Sequence, residues 1–112
     1  MEDQYLRYLQ DISELPRLTA EEESQLSTAI RAGDERALEA LVRANLRIVP
    51  TVAAEYHDSR VPVLDLLHEG DLALVRAARA YTGGPCRFAC FAMPVIRAAM
   101  EAAGAQAPRA AH

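Results

Sequence analysis

Residues 64–76 read Leu64-Asp65-Leu66-Leu67-His68-Glu69-Gly70-Asp71-Leu72-Ala73-Leu74-Val75-Arg76. At helical spacing Asp65, His68, Glu69 and Asp71 gather on one polar face, with Leu67, Leu72 and Val75 nearer its edge. No period-two alternation of the kind a half-buried strand needs is present. The segment therefore predicts an amphipathic helix. Pro62 suits its first turn, because the nitrogen that lacks a proton has no partner there in any case. Its apolar positions are read as Leu64, Leu67, Leu72, Val75, Ala78 and Tyr81, ending near Tyr81.

Composition extends the helical reading to the whole chain. Of 112 residues, 22 are Ala and only 5 are Gly, which favours helix. This length supports one domain with a real core. Upstream, Tyr5, Leu6, Leu9 and Ile12 recur at helical spacing, predicting a helix from Asp3, as N-cap, to Glu14. Leu15-Pro16-Arg17-Leu18 interrupts it. Thr19 and Glu22 form a capping box for a second helix, which ends at Gly33. Asp34 opens a third, whose stripe is Leu38, Leu41, Val42, Ile48, Val49, Val52 and Tyr56. Pro50 lies within that stripe and predicts a kink near Leu46.

Downstream, Thr82-Gly83-Gly84-Pro85 is a turn cluster. A fifth helix is expected from Ala89 to Ala103 through Phe91, Ala92, Val95, Ile96, Ala99 and Met100, its first half loosened by Pro94. Gly104 to His112 has no periodicity and reads as a disordered tail. The expected fold is all-α, a single domain of about five helices.

The chemistry the chain excludes is equally informative. Net charge is −4, and every basic residue is Arg; the pI is about 5.3. A protein held mainly by phosphate contacts would be basic. No apolar run spans a bilayer, so no membrane association is expected. The acidic start Met1-Glu2-Asp3 does not resemble a signal peptide, and the cytoplasm is the expected compartment. Cys86 and Cys90 stand four apart with no neighbouring His, and read as packing cysteines, not a metal site. His57 and His68 are isolated. No catalytic constellation stands out, so no enzyme activity and no cofactor are expected.

The acidic face at 65–71 allows two readings. It can be a solvated outer surface, or a surface for a basic helical partner, since complementary charge steers docking and fixes register.

The linked motifs resemble the sigma-70 family of bacterial transcription initiation factors. Tyr8-Leu9, Leu15-Pro16-Arg17-Leu18-Thr19-Ala20-Glu21-Glu22-Glu23 and Ile30-Arg31-Ala32-Gly33-Asp34 are similar to region 1.2. Asn45-Leu46-Arg47-Ile48-Val49 and Ala53-Ala54-Glu55-Tyr56 resemble region 2.1, and Leu64 to Ala77 resembles region 2.2. Arg87-Phe88, Phe91-Ala92 and Ile96-Arg97 hold the frame of regions 2.3 and 2.4. The resemblance divides the chain into 1–33 (region 1.2-like), 34–103 (region 2-like) and a 104–112 tail.

What the resemblance implies is specific. Region 2.2 of the family docks on the clamp helices of the RNA polymerase largest subunit; here the contacts would be Asp65, Leu67, His68, Glu69, Asp71 and Val75. His68 stands where Gln is usual and Asp71 where Asn is usual. Contacts to the promoter non-template strand would fall to Asn45, Arg47, Ile48, Phe88, Phe91 and Arg97. That equipment departs from the family. Pro94 and Val95 replace a tryptophan pair, Ala98 and Glu101 replace a Gln and a Thr, Ala89 replaces the Ser that starts the helix, and Ala54-Glu55 stand where lysines precede the tyrosine. Stacking on unpaired bases and reading base edges are the chemistries these replacements remove.

The implied function is binding of the polymerase core, in transcription initiation or its regulation, with weakened minus-ten reading. The sequence ends after the region 2-like part, which implies a truncated factor without the minus-thirty-five domain. Three alternatives follow: a split factor completed by a region-4-like partner protein, a competitor for the polymerase, and a decoy for an anti-sigma protein.

Overall fold

The structure is a computed structural model and describes residues 2–56 and 59–106. Six α-helices follow in order: α1 (Glu2–Ser13), α2 (Ala20–Arg31), α3 (Glu35–Ala44), α4 (Ile48–Ala53), α5 (Val63–Ala80) and α6 (Phe88–Gln106). A single turn of 3₁₀ helix, Ala54–Tyr56, continues α4. No strand occurs among the described residues, so the all-α expectation holds.

The helix starts follow local chemistry. At α2, Glu22 N donates to Thr19 Oγ1 at 3.1 Å, and Thr19 N donates to Glu22 Oε1 at 2.8 Å. This capping box satisfies two donors that a helix end leaves unpaired. Gly33 turns the chain at φ 98°, a conformation that costs glycine little. Asp34 Oδ1 then accepts from Arg36 N and Ala37 N and caps α3. At the other end of the chain's first segment, α1 begins at Glu2, so Asp3 lies inside the helix instead of capping it.

The long third helix expected between Asp34 and Tyr56 is divided into α3, α4 and the 3₁₀ turn. Pro50 has no N–H to donate, and its ring crowds the carbonyl of Leu46. The result is a break across Asn45–Arg47, sharper than the expected kink. Asn45 stabilises it, because its side-chain amide donates to the Leu41 carbonyl at 2.8 Å.

Pro94, by contrast, does not interrupt α6. The helix runs continuously from Phe88 to Gln106, beginning one residue before the expected start and ending three residues beyond Ala103. Phe88, Ala92, Ile96 and Met100, four residues apart, are all buried. Packing of one continuous face holds both halves in line and outweighs the lost hydrogen bond. The disordered tail expected at 104–112 is corrected at 104–106, which continue α6; 107–112 lie outside the described residues, as does His57.

The core forms where α5 meets α4 and α6. The inward face of α5 carries Leu66, Leu67, Gly70, Ala73, Leu74, Ala77 and Ala78. This corrects the expected phase of the helix. Leu66 and Leu74 are core residues, whereas Leu64 and Leu72 are 52% and 46% exposed. Leucines populate both sides of α5, so hydrophobicity alone does not fix its rotation. Gly70 marks the closest approach: a Cβ there would lie 2.6 Å from Val49 Cγ1 and 2.8 Å from Met100 Cε. Tyr81 closes the end of the core, its ring edge-on to Phe88 with centroids 5.3 Å apart.

Candidate functional site

The outer face of α5 begins at a proline start. The Pro62 carbonyl accepts from Asp65 N at 3.0 Å and Leu66 N at 3.1 Å. Asp65 sits in the first turn, where a carboxylate is favoured by the helix dipole. Asp65 and His68 are exposed, Glu69 and Val75 are half-buried, and Leu64 and Leu72 flank them in solvent. Leu67 differs from expectation: it is 6% exposed and belongs to the core. The exposed apolar contribution comes from Leu64 and Leu72 instead. The face is thus acidic, about three turns long, and bordered by two solvent-facing leucines.

Asp71 has a different setting from the other acids. Helix α1 lies alongside α5, and a groove of about 300 Å³ runs between them, lined by Gln4, Tyr5, Tyr8, Leu64, Leu67, His68 and Asp71. Asp71 is half-buried, and its Oδ1 is shielded from solvent and has no hydrogen-bond partner among the described residues. Burial holds this carboxyl above the usual aspartate range, with His68 opposing the shift. Tyr8 is pushed up as well, first by burial and then by the nearby Asp71 charge.

The six positions expected to meet DNA are not brought to one exposed face. Asn45 is buried and spends its amide on Leu41. Arg47 donates to the carbonyls of Leu15 at 2.6 Å, Ala44 at 3.2 Å and Ile12 at 3.4 Å. It ties the end of α1 to the α3–α4 break. Ile48 and Phe88 are buried in the core, and Phe91 is half-buried against Tyr81 with ring centroids 5.4 Å apart. Arg97 is paired with Glu55 through two contacts, Nε–Oε1 at 2.8 Å and Nη2–Oε2 at 2.9 Å. Tyr56 donates to Glu101 Oε2 at 3.3 Å. The surface around Arg97 therefore carries two carboxylates that face the cation and the phenol.

Cys86 and Cys90 are both exposed, which corrects their reading as packing residues. Among the described residues no group of three or more His, Cys, Asp or Glu side chains could hold a metal ion. Nor is any described helix long and apolar enough to cross a membrane.

The residue that sequence reading missed is Glu23. It is 4% exposed. Its Oε1 accepts from Arg87 Nε at 2.9 Å and from the backbone N–H of Phe88 at 3.1 Å. It therefore caps α6 from another helix; because α6 begins at Phe88, position 89 lies within its first turn and is not the cap position that the expected loss of a Ser there assumed. Arg87 also donates to the Leu18 carbonyl at 3.0 Å. Only the placement of Glu23 one position after the capping-box Glu22, on the inward side of α2, hinted at this.

Comparison with known proteins bears on the same segments. Residues 5–36 match the family described as Sigma-70 factor, region 1.2, and residues 41–103 match Sigma-70 region 2. The chain is 37% identical over 81 residues to RNA polymerase sigma factor SigA of Clostridium acetobutylicum, covering 72% of this chain and 21% of that protein. It is 35% identical over 103 residues to RNA polymerase sigma factor SigA of a Bacillus species, covering 91% of this chain and 27% of the relative. It is 34% identical over 97 residues to RNA polymerase sigma factor RpoS of Coxiella burnetii, covering 86% and 28%. The chain thus spans between 21% and 28% of the length of these relatives.

Proposed function

The chain belongs to the sigma-70 family, through its regions 1.2 and 2, and from that premise we propose that it binds the bacterial RNA polymerase core through the outer face of α5. The docking site is the clamp helices of the largest subunit, and the compartment is the cytoplasm, where that enzyme works. The observation that carries the reading is the outer face of α5, with Asp65 and His68 exposed and Glu69 half-buried, set between solvent-facing Leu64 and Leu72 within the region 2 match. An apolar border supplies burial, and the carboxylates supply steering and register toward a basic helix.

Minus-ten reading is weakened in this proposal. The supporting observation is that Asn45, Arg47, Phe88 and Arg97 are already committed within the domain. Glu55 and Glu101 beside Arg97 and Tyr56 add negative charge where a strand path would need positive charge. The protein then acts in initiation or its regulation as a polymerase-bound component.

A pull-down with core polymerase tests the docking claim. Asp65→Arg and Glu69→Arg each weaken retention about tenfold or more, as expected for charge contacts turned repulsive. Unchanged retention of both variants would sink it. Promoter-opening assays with and without a second sigma factor separate the remaining roles. A split factor opens promoters only when a region-4-like protein is added, a competitor lowers opening by the other factor, and an anti-sigma decoy ignores core enzyme.

A further inference from the structure

We propose that Cys86 and Cys90 form a dithiol modification site: a peroxide oxidises the pair to a disulfide across the first turn of α6, and a small thiol of the glutathione class reduces it again.

The chain has 2 cysteines, so only one pairing within a chain is possible. Both are exposed and free. Cys90 lies in the first turn of α6, and Cys86 stands two residues before its start. The Cys86 thiol donates to the Arg87 carbonyl at 3.3 Å. That carbonyl also accepts from Phe91 N at 3.1 Å, so Cys86 Sγ is folded forward against the turn that carries Cys90. A metal centre would need a third donor at least, and the described residues supply no such group.

Arg87 is held above its ordinary range by its hydrogen bond and charge contact with Glu23, and a Cys90 thiolate adds to that shift. Cation and thiol are thus within electrostatic reach of each other. The thiolate is the nucleophile, and a nearby cation and a helix N-terminus both favour it, so Cys90 is the sulfur placed to attack first. Its thiolate attacks one oxygen of hydrogen peroxide; the O–O bond breaks, and the departing hydroxide takes a proton to become water. The Cys86 sulfur then attacks the sulfenic sulfur; the S–O bond breaks, and a second water leaves. Two thiols lose two electrons and the peroxide gains them.

Closure requires movement. Cβ atoms four residues apart on a helical turn stand about 5–6 Å apart, and a disulfide draws them to about 3.5–4.5 Å. Cys86 lies outside the helix, in a bend at residues 84–86 that follows two glycines at φ 79° and 90°. The bend can shift while α6 stays in place. The shift pulls on Arg87 and Phe88, whose Nε and N Glu23 Oε1 holds at 2.9 and 3.1 Å, and on the Cys86 carbonyl, which accepts from the Tyr81 hydroxyl. Oxidation therefore loosens the joint between α2 and α6. A disulfide that works against such bonds is strained and readily reduced, which is the character of reversible sites.

The test treats the full chain with hydrogen peroxide and then with glutathione. Peptide mass spectrometry should show Cys86 joined to Cys90 in a monomer, and glutathione should restore both thiols. Cys86→Ser and Cys90→Ser should instead gain oxygen at the remaining sulfur or form dimers. Amide exchange at Phe88 should speed about tenfold in the oxidised parent and in neither treated variant. By linkage, Glu23→Gln, which frees the turn, should make the disulfide about tenfold harder for glutathione to reduce. Thiols that persist in the treated parent, dimers as its main product, or a change that glutathione does not reverse would overturn the site. Unchanged Phe88 exchange on oxidation, or unchanged reduction in Glu23→Gln, would overturn its coupling to the α2–α6 joint.

Discussion

The carboxylate of Glu23 on α2 lies 2.9 Å from the Nε of Arg87, 64 residues away, at the start of α6. The same oxygen accepts from Phe88 N at 3.1 Å. The pair joins the region 1.2 and region 2 segments, and it supplies a cap at the N-terminus of α6.

Removing that carboxylate should therefore loosen both segments at once. Glu23→Ala leaves the Phe88 donor unpaired and strips Arg87 of its partner, at an expected cost of about 2–4 kcal/mol. Urea unfolding followed by circular dichroism measures it. Arg87→Ala, whose side chain is largely in solvent, should cost less. Equal stabilities of Glu23→Ala and the parent would show that the cap contributes nothing.

Gly70 is a second point where the packing is tight. Gly70→Ala gains about 1 kcal/mol of helix propensity but places a methyl 2.6 Å from Val49 Cγ1. Overpacking of this kind costs about 1–3 kcal/mol, so the variant should be less stable overall. Adding Val49→Ala should recover part of that loss, because the two positions share one space. Thermal unfolding of the single and double variants reads the coupling.

Two carboxyls should titrate in opposite directions. Burial raises Asp71, and the Arg97 hydrogen bond holds Glu55 below its ordinary range. Carbon-detected NMR over an acid titration should find Asp71 protonating first as pH falls. The stability consequences also differ in sign. Ionised Asp71 costs stability at neutral pH, and the cost is relieved as pH falls through its raised folded value. Glu55 contributes stability above its unfolded value, lost as pH falls through its depressed folded value. Asp71→Asn should accordingly raise stability at neutral pH and have little effect in acid.

Arg47 offers a test of structural against DNA-contacting roles. Its guanidinium bridges the Ile12, Leu15 and Ala44 carbonyls. Arg47→Ala should speed amide hydrogen exchange in α1 and the following loop, since those carbonyls lose their shared donor. Exchange unchanged in α1, with loss of single-strand binding, would restore the arginine to the DNA path.

Much of the architecture was legible beforehand. The Thr19–Glu22 box and the Asp34 cap were readable because capping acts within four residues of chain. Pro50 marked the break after α3 for the same local reason, although its sharpness depended on Asn45 turning back to Leu41. The acidic side of α5 was readable from its 3.6-residue period. Its apolar side was not. Leu64, Leu66, Leu67, Leu72 and Leu74 cover most of the helix circumference, and only contact with α4 and α6 sorts Leu66 and Leu74 inward from Leu64 and Leu72 outward.

The sequence alone determined the helical class, the order of segments, the family resemblance and the acidic outer face of α5, because each rests on chemistry between residues close in the chain. Tertiary structure alone decided how residues far apart pair: Glu23 with Arg87, Arg97 with Glu55, and Arg47 with the carbonyls ending α1. It also set Asp71 in a groove, with an oxygen that has no partner among the described residues. Those outcomes depend on which faces dock and at what rotation, and a one-dimensional pattern holds no distance between helices.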